Sequence, residues 1–457
     1  MASPDTAPRA EPRAPWGLRV AVVVLVALPL VLAAAGLAQD GWLSDTHGAF
    51  LHRVRFALER GRLELLGFEY PPLPFLLLVP WPHVAMTWLL GGLAVAGLAW
   101  LVLDECTDRR SMLPLVLLVA ALWTPIGLHL VSGDFNEALG LLALFIGWRH
   151  YRRWWSTRQT IHGLYAGLWL GFAFYTSPIG LAVALIAGAV LPLVFPRLQI
   201  PPFASQLSLL VFPGAAAAAT WAYLSWVFIG RVALPFSPWE PGSPDLWTIL
   251  IWTIPFLAVA AVVLSRPRAT TAGILLPLIL LVGAGRIGWH YSLAFAVLML
   301  TLVAIVALPR DLDRLTRAVL GVVAVVQAVV AWRVLPLPRL AEEDLAARAV
   351  AAALATAPPR SVLLDDRYAE RLLKWSPSLE PYLLTRDTGF ELAVARPVSA
   401  VQYVLATPDG EGLTLDADVH PPPGFIRTWS WEGYTLWRRA DVPTPSVRFD
   451  VLAGRLP

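Results

Sequence analysis

Long apolar runs separated by short polar loops occupy most of the first 335 residues of the chain. A helix that crosses a bilayer needs roughly 20 predominantly apolar residues, and about eleven runs approach that length. They lie near residues 18–38, 84–103, 112–131, 135–148, 161–175, 178–195, 208–229, 246–264, 272–285, 291–308 and 317–335. The pattern predicts an α-helical polytopic membrane protein with about 11 transmembrane helices in residues 18–336, of which the fourth, fifth and ninth are short.

A long polar segment, residues 39–83, separates the first two predicted spans. Within it, apolar residues recur at helical spacing over residues 46–60, which predicts an amphipathic helix at the membrane surface. Ser44 or Asp45 stands where the N-cap belongs, and Gly61 is the expected C-terminal stop. The next stretch, YPPLPF, is too rich in proline for an ordinary span, so it predicts a broken half-helix before the second span.

The composition changes after the last apolar run, because residues 337–457 are mixed and charged. EEDLAARAVAAALA and RYAERLLKW have the spacing of helices, whereas SVLLDD and VQYVLAT have the character of short strands. FIRTWSWEGYTLWRRA predicts a β-hairpin that turns at Glu432 and Gly433. These elements together predict a small α/β domain.

The overall composition excludes a soluble globule. With 57% hydrophobic and only 15% charged residues, the chain has too little polar surface to cover a body of this size. The net charge of +3 is small and the basic residues are scattered over short loops, which argues against a nucleic-acid partner. Cys106 is the only cysteine, so no intramolecular disulfide forms, and Lys374 is the only lysine.

Arginine is unevenly distributed between the two sets of predicted loops, and this bias sets the orientation. The richer set consists of Arg9, Arg13, Arg19, Arg109, Arg110, Arg149, Arg152, Arg153, Arg158, Arg197, Arg266, Arg268, Arg310, Arg314 and Arg317, whereas the short loops opposite hold Arg231 and Arg286. The exception on the opposite side is the long segment of residues 39–83, which holds four arginines. The positive-inside rule then places residues 1–17 in the cytoplasm, as the N-terminal tail of a multi-pass protein of the cell inner (plasma) membrane. With eleven spans, residues 39–83 and 337–457 lie outside, whereas an even number of spans would place residues 337–457 inside. A cleaved signal peptide at residues 18–38 is the alternative, but the run is longer than a usual signal core.

Two basic side chains in the short loop GAGRIGWHY are candidates for binding a ligand. Cations at the membrane edge are costly and usually functional, so Arg286 is expected to hold a phosphate, with His290 as a second donor. The alternatives are that Arg286 extends to lipid headgroups and that His290, beside a tryptophan, is an ordinary interfacial residue.

Acidic and histidine side chains supply the remaining candidates. Asp134, in SGDFNE, is a candidate acid, although the same letters also match a capping box for the fourth span. His47, His52 and Glu69 are candidate ligands of a divalent metal ion. No spacing among them demands a metal, so that cofactor is left open.

The arrangement of these features resembles the GT-C superfamily of membrane glycosyltransferases. The shared features are a first span, an outer loop with an acid before an amphipathic helix, and the sequence EYPPL before the second span. Weaker similarities occur at SGDFNE and GRIGWHY. Members of the superfamily use polyprenyl-phosphate-linked sugars, and they include the lipid A aminoarabinose transferase and protein O-mannosyltransferases. The resemblance implies an integral membrane glycosyltransferase, acting outside the cytoplasm, with a lipid-linked sugar donor and a hydroxyl acceptor on a glycan, lipid or protein.

The resemblance also implies roles for individual residues. Asp45 matches the first-loop aspartate that is proposed as catalytic base in the family, with Asp40 as its rival, and Asp134 matches a second acidic position. Thr46 stands where the family usually has a second acid. Tyr70 stands where the aminoarabinose branch has a phosphate-binding lysine, which argues against that branch more than against glycosyl transfer.

The chemistry of such a transfer explains why these residue types are needed. Displacement of a polyprenyl phosphate by an acceptor hydroxyl requires a base for the proton and fixed positive charge for the leaving phosphate. Arg286, His290, Arg53 and Tyr70 are the candidate donor-binding residues. The donor's lipid tail favours a groove between spans at the membrane edge, where broken helices are tolerated.

Two other classes of protein remain open. A non-catalytic scaffold or partner subunit of the same fold, bound to another membrane protein, is compatible with the missing second acid and the missing lysine. A membrane transporter would also contain broken helices, but the sequence has no evident paired repeat and no acid in the middle of a predicted span.

Overall fold

The structure is a computed structural model that describes residues 15–62, 71–157, 159–194, 200–230, 232, 244–265, 274–286, 289–340, 342–366, 369–408 and 423–442. Glu69 and Tyr70, named above as candidates, lie outside these residues, as does Arg231. Two compact units divide the chain. We call Met1–Ala35 with Trp88–Leu337 the helical unit, and Gly36–Thr87 with Pro338–Pro457 the sheet unit.

The described chain is mostly helical. Its helices are α1 (Trp16–Gln39), α2 (Asp45–Glu59), α3 (Pro72–Leu78), α4 (Val84–Arg109), α5 (Leu113–Leu122), α6 (Pro125–Gly133), α7 (Phe135–Thr157), α8 (Thr160–Phe174), α9 (Ile179–Val194), α10 (Ile200–Ile229), α11 (Leu246–Trp252), α12 (Ile254–Leu264), α13 (Leu276–Arg286), α14 (Leu293–Ala307), α15 (Arg314–Val334), α16 (Glu342–Leu354), α17 (Glu370–Trp375), α18 (Phe390–Ala395) and α19 (Pro397–Ala400). Its strands are β1 (Val362–Leu363), β2 (Tyr382–Leu383), β3 (Tyr403–Ala406), β4 (Phe425–Trp431) and β5 (Tyr434–Arg439).

Each apolar run of the sequence contains helix, but not each helix is long enough to cross a membrane. Among the described residues, four helices have the length and composition of a span: α1, α4, the Leu207–Val227 part of α10, and α15. The number rises to six if each of two bent helix pairs counts as one span. Helices such as α13, with 11 residues, are too short, because a helix rises about 1.5 Å per residue and the hydrocarbon core is roughly 30 Å thick. The chain thus has the helices of a membrane protein, and the count of eleven spans stays a prediction.

In each of the two bent helix pairs, a proline lies just after the bend. Helices α5 and α6 meet at 69°, and α11 and α12 meet at 81°. Pro125 and Pro255 each lie in the first turn of the second helix of a pair, where a missing N–H does no harm but a continuous helix cannot form. Each break leaves backbone carbonyls that need a donor.

Helix α15 supplies a donor to each break. The Trp332 indole N–H donates to the Trp123 carbonyl over 2.7 Å, and the Gln327 amide donates to the Ile251 carbonyl over 3.1 Å. Carbonyls that leave a helix at membrane depth need such partners, because lipid offers none. Helix α15 therefore ties both bent pairs together through its side chains.

Helix α14 forms the centre of the helical unit. Its residues from Ala294 to Val306 are all buried, so it is apolar on every side rather than along one stripe. Ser292 caps it, since the Ser292 hydroxyl oxygen accepts the Phe295 N–H over 3.0 Å. The cap matters for the candidate site, because the same serine also binds an acidic side chain.

The sheet unit contains a mixed five-stranded sheet with the order β2-β1-β3-β5-β4. Strand β1 pairs in parallel with β2 and β3, whereas β3, β5 and β4 pair antiparallel. The predicted hairpin is confirmed: β4 and β5 turn at Glu432 and Gly433, both with positive φ, as a two-residue hairpin turn requires. The predicted helices and strands of residues 337–457 are present, and β2, α18 and α19 are additional.

Helix α2 packs against the α/β part of the sheet unit. Its apolar face is buried against α17 and α3, and Phe56 joins the hydrophobic core formed by α16, α17 and the sheet. The sequence assigned this face to the membrane surface, but within the sheet unit it is covered by protein. An apolar stripe along one side of a helix does not by itself distinguish lipid from protein as the partner.

Candidate functional site

The start of α2 places Asp45 at the first helical position. Ser44 is extended, and its hydroxyl oxygen accepts the His47 N–H over 3.0 Å, so Ser44 is the N-cap. Of the two residues proposed for the cap, the structure therefore selects Ser44. Helix α2 ends at Glu59, followed by Gly61 with a φ of +62°, as the sequence predicts. The Asp45 carboxylate is thus not needed to cap the helix.

The Asp45 carboxylate binds the only lysine of the chain. The Lys374 ammonium donates to Asp45 Oδ1 over 2.7 Å, and it also lies 2.8 Å from Asp344 Oδ1 and 3.3 Å from the Leu43 carbonyl oxygen. The ammonium therefore donates hydrogen bonds to two acceptors, Asp45 and the Leu43 carbonyl, and its contact with Asp344 is an ion pair without hydrogen-bond geometry. The Lys374 side chain is 2% exposed, whereas that of Asp45 is 77% exposed.

The two partners of Lys374 therefore differ in their surroundings. Asp344 is buried together with the lysine, so this pair is shielded from water. Asp45 presents most of its carboxylate to the surface and contributes one oxygen to Lys374. Among the described residues, no hydrogen bond to Asp45 Oδ2 is present. This oxygen can therefore accept a hydrogen bond from a ligand hydroxyl, or the proton of that hydroxyl.

A glycine allows α2 and α17 to approach each other at this point. A Cβ atom added to Gly48 would lie 2.4 Å from the Lys374 Cβ atom, which is closer than side-chain atoms can pack. Gly48 lies one helical turn after Ser44, so the close approach brings the start of α2 to Lys374. The position of the lysine thus depends on the absence of a side chain at residue 48.

The arginines of α2 are used to hold the C-terminal part of the sheet unit. Arg53 donates to Glu370 over 2.5 Å, and Arg55 donates to the Ser376 carbonyl over 3.0 Å. Arg60 forms a bidentate pair with Asp387, at 2.7 and 3.0 Å, in which both side chains are buried. Arg53, predicted to bind the donor phosphate, is therefore already in an ion pair, and a phosphate would have to compete with Glu370.

The histidines of α2 lie on its buried face. His47 and His52 are both buried, and His52 Nδ1 lies 3.1 Å from the Gly48 carbonyl oxygen. Burial, followed by the nearby Arg53 guanidinium, lowers the pKa of His52 to about 3, so the ring is neutral at physiological pH. No group of three or more His, Cys, Asp or Glu side chains within the described part of the chain is placed to hold a metal ion, and Glu69 lies outside that part. The divalent metal stays a prediction.

Asp40, the rival to Asp45, lies in the turn after α1. Its N–H donates to the Gly36 carbonyl over 2.9 Å, and its side chain is exposed. It has no ion pair among the described residues. Asp45 is the better-positioned acid, because a fixed cation orients its carboxylate.

Asp134 lies in the helical unit, at the junction between α6 and α7. The His129 imidazole Nε2 lies 3.3 Å from Asp134 Oδ2, and the Asp134 backbone carbonyl accepts the Glu137 N–H over 3.0 Å. Asp134 and Glu137 are both buried. The junction therefore holds two buried acids and a histidine between residues 129 and 137.

The Glu137 side chain does not form the bond that the predicted capping box requires at this junction. In that motif the glutamate side chain would accept the backbone N–H of Asp134, but this N–H donates to the Leu130 carbonyl instead. The Glu137 carboxylate accepts the Ser292 N–H over 2.8 Å and the Ser292 hydroxyl as well. Glu137 therefore connects the start of α7 to the start of α14.

This connection places the residues just before Ser292 near the start of α7. His290 precedes Ser292 by two residues, and its Nε2 atom is buried with no hydrogen-bond partner among the described residues. Arg286 is exposed at the C-terminal end of α13, where a cation interacts favourably with the helix dipole. His290 thus lies close in sequence to a residue that binds the α6–α7 junction, and no contact within the described part of the chain fixes the Arg286 side chain.

Several residues of these sites were not identified from the sequence. Lys374 pairs with Asp45 and with Asp344. His129 pairs with Asp134, and Ser292 donates to Glu137. One feature of the sequence could have drawn attention to Lys374, because it is the only lysine in 457 residues.

Comparison with known proteins adds no assignment. No protein-family model matches the chain, and no curated protein matches it.

Proposed function

We propose that the protein is an integral membrane glycosyltransferase of the GT-C type that uses a polyprenyl-phosphate-linked sugar. Asp45 removes the proton from an acceptor hydroxyl, whose oxygen then attacks the anomeric carbon of the sugar. The bond between that carbon and the phosphate oxygen breaks, and the polyprenyl phosphate leaves with the electron pair. Attack from the face opposite the leaving group inverts the configuration at the anomeric carbon.

The observation that carries the proposal is the exposed carboxylate of Asp45 beside a buried cation. A general base must be accessible to its substrate and held in a fixed orientation. Asp45 is 77% exposed, and one of its oxygens is bound at 2.7 Å by Lys374. The other oxygen points to no hydrogen-bond partner among the described residues, which leaves it available to an acceptor hydroxyl.

The leaving phosphate requires positive charge in addition to a base. Arg286 is the candidate that the described contacts leave most accessible, since Arg53 is paired with Glu370. A planar guanidinium can bind two phosphate oxygens at once, so Arg286 suits this role better than a single point charge would. His290 would be a second donor through its buried ring nitrogen.

A proton-coupled transporter is a second candidate, because two observations in the helical unit favour it. Helices α5 and α6, and likewise α11 and α12, are broken in the way that substrate-binding helices of transporters are broken. Asp134 and Glu137 are buried next to His129 at the end of one broken pair, and buried ionisable groups of this kind can carry protons. In such a protein Asp45 and Lys374 would serve only to hold the sheet unit together.

A reconstitution experiment separates the candidates. The full-length protein would be placed in liposomes that contain a polyprenyl-phosphate-linked radiolabelled sugar, with a membrane glycan extract as acceptor. Loss of sugar from the donor in the wild type, but not in Asp45→Asn, supports a transferase. Solute uptake driven by a pH gradient and lost in Glu137→Gln supports a transporter. Absence of both activities, in protein that remains folded, supports a non-catalytic scaffold and overturns the proposal.

A further inference from the structure

A cavity of about 300 Å³ lies in the helical unit, where the start of α1 meets the end of α4 and the start of α5. It belongs to neither of the sites described above. One part of its wall is apolar and the other polar. The apolar part includes Leu18, Val22 and Met112, and the polar part includes Arg19, Arg110 and Ser111.

The polar side of the cavity adjoins a region rich in arginine. The Arg19 guanidinium binds Asp104 and lies 4.4 Å from the centre of the Trp100 ring. Asp104 also accepts from Arg149 at 3.3 Å. The buried Glu105 carboxylate is in ion pairs with three arginines: Arg109, Arg149 and Arg152. Two acids are thus shared by four arginines, which leaves an excess of positive charge beside the cavity.

Two residues of the wall present hydrogen-bond donors at the surface. Arg110 follows α4 with a φ of 50°, and its side chain is exposed. The Ser111 hydroxyl oxygen accepts the Leu113 N–H over 3.3 Å, so the hydroxyl proton can be donated to a ligand. A guanidinium and a hydroxyl close together are well suited to a phosphate group.

The apolar side favours a lipid over a free anion. Leu18 and Met112 are 57% and 58% exposed at the mouth of the cavity. The cavity lies at the ends of α1 and α4, two helices long enough to span a membrane, and the ends of spanning helices meet the lipid headgroups. The arginine bias of the sequence predicts that this end faces the cytoplasm, where membranes carry anionic lipid.

We propose that this cavity is a binding site for an anionic glycerophospholipid. The lipid phosphate contacts Arg110 and Ser111, and one acyl chain lies against Leu18, Val22 and Met112. The site is separate from the proposed glycosyl transfer, and it would persist if the protein were a transporter or a scaffold.

Native mass spectrometry of the delipidated full-length protein tests the proposal. Phosphatidylglycerol and phosphatidylcholine with the same acyl chains would be added in parallel, and the bound fraction of each would be measured. The wild type is expected to retain phosphatidylglycerol in preference. Arg110→Gln should reduce that preference by about fivefold, the effect of one basic residue next to an anionic lipid. Arg314→Gln, which removes an arginine at the start of α15 outside the cavity, should leave it unchanged.

Three results would overturn the proposal. One is equal retention of the two lipids, and another is unchanged preference in both Arg110→Gln and Ser111→Ala. The third is displacement of the lipid by millimolar inorganic phosphate, which would indicate a free-anion site.

Photocrosslinking locates the bound lipid: a phosphatidylglycerol with a photoreactive acyl chain should label peptides that contain Leu18 or Met112. Labelling confined to other peptides would contradict the assignment even if the variants lose affinity.

Discussion

Lys374 and Asp45 form an ion pair of 2.7 Å between two residues that are 329 positions apart in the chain. The lysine side chain is buried and the aspartate is exposed, so the pair is asymmetric. A buried charge that loses its partner is costly, whereas an exposed one is rehydrated. The consequences of removing each residue should therefore differ strongly.

We expect Lys374→Met to destabilise the protein by about 3 kcal/mol, because it leaves the buried Asp344 carboxylate with the more distant Arg371 guanidinium, at 3.9 Å, as its remaining cation. Asp45→Asn should cost no more than about 1 kcal/mol, because Asp344 and the Leu43 carbonyl still bind the lysine. Chemical denaturation of the purified protein, followed through unfolding of the sheet unit, measures both. Equal losses in the two variants would contradict this asymmetry. The double variant Lys374→Met with Asp344→Asn is the control, since it removes the buried charge together with its partner.

The sequence predicts the helices and the hairpin of this fold well, because those features depend on local pattern. Apolar runs of helical length give the segments of the helical unit, and the letters around Glu432 and Gly433 give the hairpin turn. The breaks between α5 and α6 and between α11 and α12 also had a local indication, namely Pro125 and Pro255, but these prolines lay inside runs that were assigned to single spans.

The pairing of side chains could not be predicted in the same way. Lys374 lies in a short helix of the C-terminal region, and nothing near it in sequence indicates Asp45 as its partner. The Glu137 carboxylate has the spacing of a capping box, yet it binds Ser292, 155 positions away. Such contacts depend on which helices pack together, and one sequence does not contain that information. The prediction therefore identified Asp45 as an acid of interest without identifying the cation that orients it.

His52 should make the stability of the sheet unit dependent on pH. Burial, with a further contribution from Arg53, lowers the pKa of His52 to about 3 in the folded protein, whereas the unfolded value is about 6.5. The unfolded chain therefore binds the proton first as the pH falls. The stabilisation is fully present above about pH 6.5 and is lost progressively toward pH 3, with a loss of about 2 kcal/mol by pH 5.

Denaturation curves at pH 7, 6 and 5 measure this effect. His52→Gln should flatten the dependence by about 2 kcal/mol over that range, since it removes the titrating group. His83→Gln is the matched control, because His83 is exposed. Burial raises the pKa of Glu59, which acts with the opposite sign, but that residue is present in all three proteins and cancels in the comparison. A His52→Gln variant with the wild-type pH dependence would show that another group is responsible.

The two side chains of α15 that reach the broken helices should stabilise the helical unit. Trp332→Phe and Gln327→Leu each remove one donor to a carbonyl, at Trp123 and Ile251 respectively. Gln327→Leu leaves the side-chain volume nearly unchanged, whereas Trp332→Phe also makes the ring smaller. We expect each to cost about 0.5–2 kcal/mol, the range for hydrogen bonds between membrane helices. Steric trapping or thermal unfolding in detergent measures the loss.

Trp247→Phe provides the control for these variants, since Trp247 is 72% exposed on α11 and forms no hydrogen bond among the described residues. If it destabilises the protein as much as Trp332→Phe does, the loss comes from removing the larger ring and not from the carbonyl at the break.

The activity test concerns Asp45, whose proposed role as base is separable from its role in stability. Since Ser44 caps α2, Asp45→Asn leaves the cap intact, and the amide oxygen can still accept from Lys374. The amide cannot take a proton from an acceptor hydroxyl at neutral pH, and a general base contributes roughly a hundred- to ten-thousand-fold in rate. Asp45→Asn should thus be folded and bind the lipid-linked donor, with turnover reduced by at least about a hundredfold.

Asp40→Asn, in the exposed turn after α1, should stay within a few-fold of the wild type. If Asp45→Asn keeps its turnover and Asp134→Asn abolishes it, the base lies at the α6–α7 junction, and the pair of Asp45 with Lys374 is structural only.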